Sequence, residues 1–160
     1  NDIDMLIDMN AGKNGIIHTV SFKLANDIME KSKHKKNMLV SGDQDEIKSF
    51  LGTVSRGKIV LSPSIEKGFD AKGDMSRFQI IAKVPFAYLG SPIVSLNAKI
   101  RPRWYLRRCI LRLVQACGRS IRGVDDYAKT YIIDANFLRV VRDGHEIMPE
   151  WFVDSLNIVE

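Results

Sequence analysis

Short apolar runs punctuate this chain, separated by stretches in which apolar residues recur every three or four positions. The runs at 15–20, 37–40, 58–61, 78–84 and 129–133 have the length and composition of strands buried on both faces. Between them, Leu24, Ile28 and Met29 predict a helix over 22–32 behind Ser21. Ile47, Phe50 and Leu51 predict a short helix capped by Asp43. The longest helical pattern covers 104–120, with Leu106, Ile110, Leu113, Val114 and Cys117 on its apolar stripe. Residues 136–141 read as a short helix or turn, and Pro149 opens a last amphipathic helix through Leu156. Residues 1–14 read as a frayed polar lead-in and 62–74 as a loop. The stretch 90–102 reads as irregular, with Pro92 able to start a helical turn. Strands alternating with helices predict an α/β domain, with a mostly parallel sheet and helices on both faces. The expected organisation is a lead-in at 1–14, a single α/β body at 15–142 and a helical tail at 143–160.

Composition narrows the class without changing that picture. The chain has 160 residues, 45% hydrophobic and 27% charged, a balance that suits one globular domain with a core. No apolar run reaches the ~18 residues of a membrane span, and no signal-peptide pattern opens the chain. It begins at Asn1 rather than Met, which suggests a piece of a longer protein. Cys109 and Cys117 lie about 12 Å apart along one predicted helix and cannot pair within it. Reduced thiols fit a cytoplasmic setting, or a nuclear one in a eukaryote. His18, His34 and His145 match no metal-ligand spacing, so no metal site is expected.

Charge adds a direction. Lys and Arg total 24 against 19 Asp and Glu, a net charge of +5. Lys31, Lys33, Lys35 and Lys36 read as solvated surface. Arg101, Arg103, Arg107, Arg108 and Arg112, then Arg119 and Arg122, instead gather on and just beyond the longest predicted helix. A basic face of this kind attracts polyanions.

The segment with the most chemistry is Gln115-Ala116-Cys117-Gly118-Arg119-Ser120-Ile121-Arg122. A helix ends there at a glycine-bearing turn, and two arginines three residues apart project to one side. Guanidinium groups clamp phosphate oxygens through paired bonds; pairing with Asp125 and Asp126 is the alternative use for them. The octet resembles motif VI of the XPD/DinG family of superfamily-two helicases, Gln-Ala-x-Gly-Arg-x-Ile-Arg, at every fixed position. The resemblance continues through Asp126-Tyr127, the strand ending at Asp134, and Phe137. It departs at Ala128, where the family prefers Gly, and at Asn136, where it prefers Arg.

Two further segments extend it. Ser62-Pro63-Ser64-Ile65-Glu66-Lys67-Gly68-Phe69-Asp70 is similar to motif V, although Lys67 occupies the place of the family's glutamate. The stretch 78–86, ending Val84-Pro85-Phe86, looks like the family's following strand and Leu-Pro-Phe turn. Ile16-Ile17-His18-Thr19-Val20-Ser21-Phe22 is similar to motif IV, with His18 and Thr19 replacing residues that are usually aromatic. The resemblance spans about residues 15–140.

It implies a RecA-like fold of the P-loop NTPase type, acting as the second motor lobe of an ATP-dependent DNA helicase with roles such as DNA repair. Arg119 and Arg122 would be arginine fingers, and Gln115, Gly118, Gly68 and Asp70 would face ATP. Thr19, Ser21, Ser41 and Ser62 would line one sheet edge against single-stranded DNA or RNA, contacting phosphates without reading bases. The chain has no Gly-x-x-x-x-Gly-Lys-Ser/Thr loop and no Asp-Glu-x-His box after a strand. ATP and Mg2+ are therefore expected mainly on an N-terminal RecA-like lobe of the same parent protein, along with any iron–sulfur cluster. This lobe alone is expected to be inactive. The competing reading is a non-catalytic nucleic-acid-binding or regulatory module that keeps the fold.

Overall fold

A computed structural model describes residues 2–52, 56–63, 71, 73–121 and 126–157. Five strands, β1 (Gly15–His18), β2 (Met38–Val40), β3 (Ile59–Ser62), β4 (Phe78–Ile81) and β5 (Lys129–Ile132), form one sheet in the order β2-β3-β1-β4-β5. Every pairing is parallel. The helices are α1 (Asp2–Met9), α2 (Phe22–Lys31), α3 (Gln44–Leu51), α4 (Pro92–Ile100), α5 (Pro102–Cys117), α6 (Asn136–Gly144) and α7 (Glu150–Asp154). The chain divides into two compact units, one of residues 1–83 and 116–134 and one of 84–115 and 135–160.

The first unit holds the whole sheet, and strand alternation sends successive side chains to opposite faces. Ile17, Ile59, Leu61, Phe78 and Ile80 pack with Ile3, Leu6 and Ile7 of α1 and Ala25 and Ile28 of α2. On the other face, Ile16 and Val60 pack with Ile47 and Leu51 of α3. A sheet covered on both sides favours strands apolar on both faces, which is why β1, β3 and β4 read as apolar runs, interrupted by His18, Ser62 and Gln79. Gly15 lies in register with Phe78, whose ring lies where a Cβ on residue 15 would go.

Two segments differ from the expectation. Residues 2–9, within the stretch read as a frayed lead-in, form α1. Its three apolar residues at i, i+3 and i+4 complete the sheet's first core, while Ser32 Oγ donates to Asp4 at 2.5 Å. Three buried positions in a polar stretch are too few to stand out as a period. The stretch read as irregular contains α4, begun by Pro92 in the first turn, where a missing N–H costs nothing. None of its residues is buried, and Ile93, Leu96 and Ile100 are exposed, so burial periodicity could not announce it.

In the second unit, Phe86 stacks on Tyr105 with centroids 5.7 Å apart, and Tyr105 Oη donates to Ala87 O at 2.9 Å. Arg101, Arg103, Arg107 and Arg108 are exposed. Trp104 is half-buried, with the Arg108 guanidinium 5.5 Å from its ring centre. Among the described residues, no helix is long and apolar enough to cross a membrane.

Candidate functional site

Parallel register brings the carboxyl ends of the strands to one edge. His18 pairs in register with Ser62 on one side and Ile81 on the other. Thr19 N donates to Ser62 O at 3.0 Å, and Ser41 N to Leu61 O at 3.2 Å. Thr19, Ser41 and Ser62 thus end three neighbouring strands, and Ser21 follows two residues after Thr19. The hydroxyls of Thr19, Ser21 and Ser41 already hold the backbone. Ser21 Oγ caps α2 by accepting from Leu24 N at 3.2 Å. Thr19 Oγ1 donates to Ser21 O at 3.1 Å. Ser41 Oγ donates to Glu46 and accepts from Asp43 N at 3.0 Å. Thr19, Ser41 and Ser62 are buried, while Ser21 is exposed.

Between Thr19 and Ser21, Val20 has a backbone φ of 58°. A β-branched side chain in the left-handed region is strained, because Cβ crowds the backbone. Strain of this kind gathers at loops that the surrounding structure holds in place.

The second cluster lies on the α3 side of the sheet, nearer the amino end of β4. There α5 ends at Cys117 and a 3-10 turn, Gly118–Ser120, carries Arg119. Gln79, fully buried in β4, donates through Nε2 to Cys117 O at 2.9 Å and to Thr130 Oγ1 at 3.3 Å. Its Oε1 lies 3.0 Å from His18 Nε2. With the amide nitrogen donating on the helix side, Oε1 is the acceptor, so the proton sits on His18 Nε2. Burial pushes His18 down to about 4, against the raising effect of its bond to Gln79; the charge of Arg119 pushes it the same way as burial. The imidazole is neutral at pH 7. Ser120, also fully buried, donates to Ser76 Oγ at 2.7 Å, and Ser76 Oγ donates to Phe78 O at 3.2 Å. Burial pushes the Cys117 thiol up to about 12, far from the thiolate range.

Of the sequence-expected residues, Arg119 is half-buried on this turn, with Gly118 exposed beside it. Among the described residues, a Cβ on Gly118 would meet nothing within 4 Å. Gln115 is exposed in the last turn of α5. Arg122, Gly68 and Asp70 lie outside the described residues, as do Glu66 and Lys67. Asp126 accepts from Arg77 Nη1 at 2.8 Å, and Arg77 Nε reaches Asp74 at 2.8 Å. No group of three or more His, Cys, Asp or Glu among the described residues could hold a metal ion.

His18, Gln79, Ser76 and Arg77 carry this geometry, and sequence reading assigned none of them to it. The one available signal was polarity out of place: an imidazole and an amide inside strands whose neighbours are all apolar.

A family of helicase C-terminal domains matches residues 6–155. This chain belongs to that family. It is the C-terminal lobe of the XPD/DinG type, with the α/β RecA-like fold expected. The ATP-dependent DNA helicase DinG of Photobacterium profundum is 26% identical across 66% of this chain and 17% of that protein. Among solved structures, an XPD helicase superposes with a TM-score of 0.66 at 17% identity, over 89% of this chain and 29% of the other. An XPD structure without ligand gives a TM-score of 0.68 at 15% identity, over 89% and 33%. Xpd4 of S. tokodaii gives 0.63 at 12% identity, over 93% and 31%. At these identities the structures speak to the fold. The lobe spans no more than a third of any of these relatives.

Proposed function

We propose that this lobe is the second half of an ATP-driven motor that moves along single-stranded nucleic acid, DNA rather than RNA. The observation that carries the reading is the full motif VI octet within a matched helicase C-terminal domain. Support comes from the turn itself, which is bonded on either side of Arg119 to buried Gln79 and Ser76 and leaves Gly118 open to a neighbour. In this reading, ATP and Mg2+ bind mainly to the first lobe of the parent protein, and together they supply the phosphoryl group and most of the counter-charge. Arg119 and Arg122 reach the γ-phosphoryl oxygens as charge builds there. Gln115, Gly118, Gly68 and Asp70 contact the nucleotide side of the cleft. Thr19, Ser21, Ser41 and Ser62 form the edge along which strand phosphates run. Because the hydroxyls of Thr19, Ser21 and Ser41 bond the backbone, their part is to shape the loops, whose N–H groups and surfaces then meet the phosphates.

The lobe alone hydrolyses nothing, since it has no phosphate loop. Any iron–sulfur cluster belongs to another part of the parent. The motor works in the cytoplasm, or in the nucleus of a eukaryote, where thiols stay reduced.

The test is ATP hydrolysis by the parent protein, with and without single-stranded DNA, for wild type, Arg119→Ala and Arg122→Ala. Strand-stimulated hydrolysis lost in both folded variants supports the motor. Normal turnover in both removes the arginine fingers. A well-folded parent that binds the strand without hydrolysing ATP points instead to the non-catalytic module.

A further inference from the structure

Gln79 is an amide in the middle of a parallel strand, between Phe78 and Ile80, on the sheet face that also carries Ile16 and Val60 packed against Ile47 and Leu51. Strand propensity and burial both favour an apolar residue there. A buried amide persists where its bonds are made and where those bonds hold something in place. One bond of Gln79 reaches the turn after α5, and the others tie the amide to β5 and β1. Nε2 holds the last carbonyl of α5, at Cys117, directly before Gly118 and Arg119. Thr130 Oγ1, in register on β5, accepts from the same nitrogen. The Cys117 carbonyl can only accept, so it fixes the amide with Nε2 toward the helix and Oε1 toward His18 Nε2–H. One turn later, the fully buried Ser120 hydroxyl is fastened to Ser76, just before β4 begins.

Arg119 therefore sits between two buried anchors that both belong to β4 and its approach. We infer that Gln79 and Ser76 are positioning residues, fixing the turn that aims Arg119 without touching nucleotide themselves. The inference rests on the arginine-finger reading of Arg119. A charged group that acts only on a transition state must be held to within a fraction of an ångström, and a supporting shell does that work. The flexible arginine side chain gains its fixed origin from the sheet, through bonds to the buried Gln79 and Ser76 side chains.

The test uses the full-length parent, with Gln79→Met, which keeps volume and removes the amide, and Ser76→Ala, which frees the Ser120 hydroxyl. Two readouts are taken: ATP turnover, resolved into kcat and KM, and amide hydrogen exchange of the peptide covering 116–121 and of the β4 peptide. We expect kcat to fall roughly 10- to 100-fold in Gln79→Met, with a smaller loss in Ser76→Ala. KM for ATP should stay within about twofold of wild type, since a misaimed transition-state contact leaves ground-state binding intact. Exchange should quicken at 116–121 and not in β4. Unchanged exchange at 116–121 in folded variants overturns the inference. So does faster exchange with unchanged kcat, provided Arg119→Ala does lower kcat. If Arg119→Ala also leaves kcat unchanged, the arginine-finger reading has failed, and exchange alone decides whether Gln79 and Ser76 fix the turn. Should Gln79→Met fail to fold, Ser76→Ala is judged by the same outcomes.

Discussion

The turn after α5 and the loop after β1 solve the same problem in opposite ways. Each must hold a few backbone groups steady beyond the end of a regular element. The turn, Gly118–Ser120, has no strained residue and is anchored from outside, by Gln79 and Ser76 about 40 positions earlier in the chain. The loop at Thr19–Ser21 is anchored from within. Thr19 bonds Ser21 O, Ser21 caps the helix that follows, and Val20 is forced into the left-handed region between them. Bonds to distant buried side chains suit the part proposed for the turn, aiming one long cation. Local bonds and stored strain suit the part proposed for the loop, meeting a repeating phosphate chain with its backbone. His18 closes β1 just before the loop and bonds Gln79 behind the turn, so it stands at the junction of the two schemes.

The contrast can be broken at four points. The largest effect is expected at Arg119. Replacing it with Ala should lower strand-stimulated ATP turnover of the parent about 1,000-fold or more, within the range that arginine fingers contribute, while the midpoint of thermal unfolding changes little. A loss below tenfold would show that the turn aims nothing essential.

The next concerns His18. Its folded pKa, about 4, lies below the ordinary histidine value of 6.5. In that window the unfolded chain binds the proton that the folded chain refuses, so stability falls as pH drops from 6.5 toward 4. The slope from this group approaches roughly 1.4 kcal/mol per pH unit. Denaturant titrations at pH 7 and pH 5 should show a loss of about 2 kcal/mol attributable to this group in wild type. The loss should shrink in His18→Phe, which has nothing to titrate there. Equal losses in both proteins would mean that the junction is not a buried neutral imidazole.

Gly118→Ala separates folding from function. No neighbour among the described residues stands within 4 Å of the added Cβ, and Ala is the better helix former by about 0.8–1.0 kcal/mol. Stability should be unchanged or slightly raised. ATP turnover should drop about tenfold, a penalty near 1.4 kcal/mol, because the methyl group intrudes on whatever docks there. Full turnover would remove Gly118 from the nucleotide side.

The smallest effect is at Val20. Glycine removes a left-handed cost of about 1–2 kcal/mol and adds an entropic cost of about 0.5–1 kcal/mol. Val20→Gly should therefore gain about 0.5–1 kcal/mol in a denaturant titration, with weaker binding of single-stranded DNA as the loop loosens. A clear loss of stability would show that Val20 is held by packing rather than tolerated under strain.

Much of this could be read before any coordinates. The five apolar runs became the five strands, Asp43 caps the helix it was expected to cap, and the helix expected behind Ser21 formed there. The octet 115–122 named the family that the comparison then matched. Two elements were illegible for physical reasons. The apolar stripe of α1 is three residues long, and its meaning depends on a sheet formed later in the chain. The helix α4 buries nothing, so it leaves no periodic trace of burial to follow.

Local order along the chain was sufficient to determine the alternating α/β plan, the basic character of α5 and the identity of the arginine turn, because periodicity, capping and motif spacing are properties of neighbours. Tertiary structure alone decided what holds that turn. The partners of Cys117 O and Ser120 Oγ come from β4 and the residues just before it, and the partner of Gln79 Oε1 comes from β1. Parallel register brings those strands side by side across about 60 residues of sequence. Hydrogen bonds between buried side chains act over about 3 Å of space and carry no signature in sequence distance.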